Sequence, residues 1–178
     1  GSGAIIITTK KAKAGKLKIS YDNNFRVTHL YRFPEIQTTY GTGLNGVSSK
    51  DRRLFGPKND PSTPFYDNIR NFFRDGFQHK HNLTLEGGKK NTALRGNLTY
   101  RDESGVVPNT GLTQLQARVT VNQKVTKKLD LNFSGAYINT KNDKSLRGSG
   151  GFLQNLMLWP TSDDARDYLN PDGTRKFF

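Results

Sequence analysis

From Phe77 the chain alternates strictly between apolar and polar residues. Phe77, His79, His81, Leu83 and Leu85 fall on one side of an extended strand, and Gln78, Lys80, Asn82, Thr84 and Glu86 fall on the other. Gly87, Gly88, Lys89 and Lys90 form a tight turn, where glycine supplies the positive φ that a short hairpin needs. Alternation resumes with Thr92, Leu94, Gly96, Leu98 and Tyr100 opposite Ala93, Arg95, Asn97, Thr99 and Arg101. It persists for about ten residues per strand, beyond the roughly 5–6 of an ordinary strand. A face of Lys, Glu, Arg, Asn and Gln cannot form a dry core. One face therefore wants an apolar medium and the other wants water.

The same period recurs on both sides of this hairpin. Leu17, Ile19, Tyr21, Phe25 and Val27 oppose Lys16, Lys18, Ser20, Asp22, Asn24 and Arg26, with Asn23 intruding on the apolar side. Leu115, Ala117, Val119, Val121 and Val125 oppose Gln114, Gln116, Arg118, Thr120, Asn122 and Lys124. Leu129, Leu131, Phe133, Gly135 and Tyr137 oppose Asp130, Asn132, Ser134 and Thr140. The pattern predicts five amphipathic strands, at about 16–27, 77–88, 91–102, 113–125 and 129–140. Ahead of them Gly3–Lys10 is a β-branched run suited to a fully buried strand, and a Lys- and Gly-containing link sets a domain boundary near Ala14–Lys16. Residues 28–76, 103–112 and 141–178 lack a steady period and read as long loops, with short helices at Phe65–Phe73 and Phe152–Trp159 and a turn at Asn170–Gly173.

Connections between successive strands thus run long, short, long, short, long. In an antiparallel meander this puts all long loops at one end, the asymmetry of outer-membrane barrels. Nine residues at ~3.3 Å and ~40° tilt span roughly 23 Å, against an apolar band of about 25 Å. The expected fold class is all-β: about five strands of an antiparallel transmembrane β-barrel, preceded by the last strand of an N-terminal domain.

Composition alone would hide this. Hydrophobic residues are 33% of the chain and the mean hydropathy is -0.75. No apolar run approaches the ~18 residues of a membrane helix, which excludes a helical span but not a barrel, whose strands alternate. The formal net charge is +13, but the cations are spread along strands and turns. That distribution argues against nucleic acid. Cysteine is absent, so there is no disulfide framework or thiolate metal site. No G-x-S-x-G, H-E-x-x-H or phosphate-loop motif occurs, and Gly148–Gly151 reads as a hinge. His79 and His81 share a strand face without a third ligand, whereas a metal site needs three or four. Asp102-Glu103 and Asp163-Asp164 read as solvated turn residues. The expectation is a protein that is not an enzyme and uses no cofactor or metal.

The Gly3–Lys13 run with Gly15-Lys16 resembles the end of the plug domain in SusC/RagA-type TonB-dependent transporters, where G-x-I-I-I-T-T-K-K closes the plug. Tyr66-Asp67-Asn68-Ile69, Arg74-Asp75-Gly76, His81-Asn82-Leu83 and Gly87-Gly88 resemble the family's pattern around its second barrel strand, with Tyr66 where a Trp is usual. Gly105 and the Pro108–Arg118 region follow the pattern too. The resemblance implies that 1–14 ends the plug and 15–178 begins a barrel of about 22 strands. The remaining strands and the segment that contacts TonB would lie outside this sequence. It further implies a multi-pass protein in outer-membrane lipid. Its work would be active import of a bulky nutrient, oligosaccharide or peptide, beneath a SusD-like surface lipoprotein.

The polar strand faces give the candidate lumen residues Lys18, Arg26, Arg95, Arg101, Arg118 and Lys124, meeting either an anionic solute or acidic plug residues. Trp159, Phe152 and Tyr168, with Arg147, are the candidates for substrate or lid contact. The competing reading is a soluble carbohydrate-binding β-sandwich or adhesin. It requires the apolar faces to be covered by a second sheet.

Overall fold

The computed structural model describes Gly3, residues 13–50 and residues 52–175. The buried strand expected at Gly3–Lys10, and with it most of segment 1–14, lies outside the described residues. In chain order the elements are β1 (Gly15–Thr28), β2 (Gly43–Leu44), β3 (Val47–Ser48), α1 (Asn68–Phe72), β4 (Gly76–Lys89), β5 (Thr92–Ser104), β6 (Gly111–Lys124), β7 (Asp130–Asp143) and α2 (Phe152–Met157), with a 3-10 turn at Gly148–Gly150 before α2. The chain divides into two compact units. One holds the five long strands. The other gathers the connecting segments Val27–Gly76 and Ser104–Thr110 with the stretch from Asp143 onward.

The long strands form one sheet in the order β1-β4-β5-β6-β7. Cross-strand contacts run in opposite directions at every step. Tyr21 meets His81 while Arg26 meets Gln78. Arg95 meets Glu86 while Asn97 meets Asn82. Asn91 pairs with Lys124 and Asp102 with Thr113, and Gln114 reaches Thr140 while Val125 bonds Leu129. The sheet is therefore an antiparallel meander. At the β4–β5 turn Gly88 has φ +156°, and a Cβ there would stand 2.1 Å from the Thr92 carbonyl oxygen. Only glycine lets the two strands close this tightly.

Burial in the sheet is the reverse of a water-soluble sheet. On the polar face the middle strands β4 and β5 are covered at Gln78 and Thr84, each 7% exposed, while the polar side chains of β1 and β7 are open. Apolar side chains on the other are open, with Leu17 70% and Phe133 66% exposed. Along the apolar face Phe25 stacks on Phe77, and Tyr21 lies against His81 with Oη and Nδ1 2.5 Å apart. Tyr100 packs beside His79, whose ring lies 5.4 Å from that of His81. These imidazoles belong to an aromatic belt. A β-sandwich would need this face sealed by a second sheet, and among the described residues none covers it.

The strands outrun the hydrophobic pattern at the loop ends. β6 starts at Gly111 instead of Thr113, and β7 continues to Asp143 past Thr140. The connection expected to be long over 103–112 shrinks accordingly, closed by a Gly105 N–H bond to the Thr110 carbonyl at 2.8 Å. Backbone pairing continues past the last apolar residue because it does not need one.

In the second unit β2 and β3 form a small hairpin within a stretch that carries no period. Asn45 (φ 52°) and Gly46 (φ 77°) both take left-handed conformations, as a type I′ turn requires. Helix α1 lies inside the expected 65–73 segment and α2 inside 152–159. No described helix is long and apolar enough to cross a membrane.

Replacing Gly88 by Ala forces the β4–β5 turn open and should cost more than about 1 kcal/mol in equilibrium unfolding of the full-length protein. Gly96→Ala, whose new Cβ meets nothing within 4 Å, should leave the midpoint unmoved.

Candidate functional site

Two concave surfaces carry the chemistry, one in each unit. In the loop unit a cleft of about 560 Å³ is lined by Phe33, Pro34, Glu35, Ile36, Phe65, Tyr66, Arg70 and Trp159, among others. Its wall starts at α1. Asp67 caps the helix, accepting the Arg70 N–H at 3.0 Å, and its carboxylate holds the Arg70 guanidinium at 2.9 Å. That guanidinium in turn lies 4.8 Å over the Phe33 ring.

The opposite wall is tied on by Asn68. This side chain is 6% exposed. Its Nδ2 donates to the carbonyls of Pro160 (3.2 Å) and Asp163 (2.9 Å), and its Oδ1 accepts from Ala165 N–H at 2.9 Å. The Tyr66 N–H bonds the Thr161 carbonyl at 2.8 Å. The Trp159 indole N–H donates to Asp163 at 3.0 Å. Aromatic faces beside free hydroxyls and the Glu35 carboxylate suit contact with a sugar ring or a peptide side chain.

Of the expected contact residues, Trp159 stands in this wall. Phe152 does not; it stacks on Phe72 at 4.9 Å in an aromatic cluster with Phe73 and Phe33. Tyr168 is half exposed and Arg147 precedes the 3-10 turn, both outside the cleft lining. Sequence reasoning missed Phe33, Glu35, Phe65, Tyr66 and Arg70. The aromatic and Pro density of 31–36 and 64–66 was the signal available.

Loop carboxylates are fixed by local hydrogen bonds. The Ser62 hydroxyl and N–H hold the Asp60 carboxyl below its ordinary range, and Thr174 does the same for Asp172. The Asp164 carboxylate raises the Arg166 guanidinium further.

On the sheet, alternation puts Lys18, Arg26, Arg95, Arg101, Arg118 and Lys124 on the polar face. Arg26 donates to Gln78 at 2.9 Å and pairs with Glu103 at 3.3 Å, Arg101 pairs with the same Glu103, and Arg95 pairs with Glu86 at 3.1 Å. Lys16 and Lys80 join them, against the acids Asp22, Glu86, Glu103 and Asp130. A second hollow of about 760 Å³ lies on this face. Among the described residues no group of three or more His, Cys, Asp or Glu is placed to hold a metal ion.

An antiparallel meander with an open apolar face, a polar face covered along its middle strands and its long connections gathered in one unit has the anatomy of a stretch of membrane β-barrel wall. Comparison with known proteins makes this specific. No family model matches the chain. It is 29% identical over 163 residues to the TonB-dependent receptor SusC of Bacteroides thetaiotaomicron, across 85% of this chain and 15% of SusC. It is 27% identical over 139 residues to the TonB-dependent receptor P39 of Formosa agariphila, across 74% of this chain and 12% of that protein. Its fold matches a chain of the RagAB peptide importer in the closed-closed state with a TM-score of 0.54 at 14% identity, over 94% of this chain and 23% of the other. The chain is thus similar in sequence to stretches of TonB-dependent receptors and in fold to part of a RagAB chain, and it spans less than a quarter of each of these proteins.

Asn68→Asp sets a carboxylate against two carbonyl oxygens. It should destabilise the loop unit by about 1–3 kcal/mol, read as faster hydrogen exchange at 160–165 with the strands unaffected. The Asp60 turn should show a pH dependence of definite sign. Its carboxyl is depressed in the folded state, so the stabilisation is complete above the ordinary carboxylate pKa and is lost as pH falls through the folded value. Protection of the Ser62 amide, taken relative to its intrinsic exchange rate at each pH, should therefore fall only on acidification, and Asp60→Asn should abolish the change.

Proposed function

We propose that this chain is part of the barrel subunit of an energy-coupled importer. It carries a bulky nutrient, oligosaccharide or peptide, across a bacterial outer membrane and performs no covalent chemistry on it. On this reading residues 1–14 end the plug and residues from 15 onward begin the barrel. The apolar face of β1 and β4–β7 meets lipid. The polar face borders the wet interior that the plug obstructs, and coupling to TonB moves the plug. The loop unit meets cargo and a SusD-like lipoprotein lid on the outer side. The observation that carries the reading is the reversed burial of the sheet, with Leu17 and Phe133 open and Gln78 and Thr84 covered. Such a surface is unstable in water and suits hydrocarbon. The similarity to TonB-dependent receptors supports the energy coupling.

The test is uptake by cells carrying the full-length gene or its deletion, with candidate glycans and peptides as sole carbon source. Growth that depends on the gene and on TonB is expected, as is co-purification of a surface lipoprotein with the tagged receptor. Recovery of the full-length protein in the soluble fraction would reject the proposal. Trp159→Ala removes one aromatic contact and should weaken cargo binding about threefold to tenfold. Tyr168→Ala, outside the cleft lining, should change it less than twofold, roughly the scatter expected of a peripheral contact.

A further inference from the structure

The polar face of the sheet carries twice as many cations as acids, and its acids are partly spent. Glu86 takes the Arg95 guanidinium at 3.1 Å and the Lys13 backbone N–H at 2.9 Å, and Glu103 is shared between Arg26 and Arg101. The hollow of about 760 Å³ on this face is lined by Lys13, Lys16, Lys18, Asp22, Glu86 and Arg95 together with neutral Asn, Ser and Thr side chains. Lys16 and Lys18 point the same way from β1, about 6.6 Å apart along the strand. Neither has a carboxylate partner among the described residues.

Several acids of the loop unit have local partners. Asp60 binds Ser62, Asp67 binds Arg70, Asp75 binds His29, and Asp164 binds Arg166. Unpaired lysines in a hollow also rimmed by amide and hydroxyl groups are a site for an anion with its own hydrogen-bonding groups.

We propose that this hollow binds carboxylate groups of the cargo, which makes the nutrient an acidic oligosaccharide or an acidic peptide. The inference rests on the import reading and narrows its substrate. Lys16 and Lys18 supply point charges to successive carboxylates. Asn82 and Asn97 bond each other at 2.7 Å and also bond Asp22, Thr84 and Thr99, which fixes the floor of the hollow beside the two lysines.

The test uses the full-length receptor purified in detergent and titrated calorimetrically with oligogalacturonate. The methyl-esterified oligomer, with the same backbone and no charge, is the control. The charged oligomer should bind more tightly than the ester, and raising the salt should erase the difference. Lys16→Gln/Lys18→Gln should weaken binding of the charged oligomer by about tenfold or more and leave the ester unchanged. Lys16→Arg/Lys18→Arg should retain the binding. Equal affinity for both oligomers, or an unchanged affinity in the glutamine variant, would overturn the proposal. A variant that lowers only the melting temperature would also overturn it, and would assign the lysines to an acidic segment of the receptor itself. Uptake in cells is scored separately. Loss of uptake with binding intact counts against the import reading and leaves the site standing.

Discussion

The constraint behind this structure is that a two-faced strand needs two solvents, while its backbone accepts neither without hydrogen bonds. In hydrocarbon every N–H and C=O must be paired within the protein. A sheet meets that demand only by adding strands side by side, and β1 and β4–β7 do so as neighbours in one sheet. Once the backbone is paired, side chains decide which face looks where. Leu, Ile, Val and Phe gain by leaving water. Lys, Arg and Asn cannot. The meander turns at 90–91 and 125–129 keep this sorting intact: apolar residues at odd positions of β4 meet apolar residues at even positions of β5, and odd positions carry the apolar face on both β6 and β7.

The polar face is held by a lattice of short-range bonds rather than by packing. Asn82, Thr84, Asn97 and Thr99 share a chain of hydrogen bonds across β4 and β5, with the Arg95–Glu86 pair on one side. At the other end of the strands two arginines share Glu103. Such pairs contribute little each when solvated, but together they order the polar surface of the sheet. The loop unit uses the opposite strategy. There a single buried amide, Asn68, joins segments more than ninety residues apart in sequence, and aromatic rings fill the space around it.

The strands were legible in the sequence because period-two alternation is local and each strand repeats it. Leu83 and Leu85 against Asn82 and Thr84 suffice to orient β4, and the structure keeps that orientation throughout. What the pattern could not convey was where pairing stops, since backbone bonds continue beyond the last apolar residue at Gly111 and Asp143. The β2–β3 hairpin was missed although Asn45-Gly46 is a strong turn signal, because no alternating strand flanks it. The cleft was hardest to read. Trp159 stood out by its residue type, but the segment of its neighbour Tyr66 is joined to it by the bonds of Asn68 to Pro160 and Asp163 and of Tyr66 to Thr161. Contacts of that sequence separation leave no periodic trace. Phe152, expected to meet substrate or lid, stacks on Phe72.

The most direct measurement is residue-by-residue exposure along β7 in the full-length receptor reconstituted in lipid vesicles. Single cysteines at positions 131, 132, 133 and 134, in a cysteine-free background, would each carry an environment-sensitive fluorophore. Labels replacing Leu131 and Phe133 should be quenched by brominated lipid tails and shielded from aqueous quencher. Those replacing Asn132 and Ser134 should show the reverse. Quenching that fails to alternate, or alternates with the opposite phase, would contradict the account.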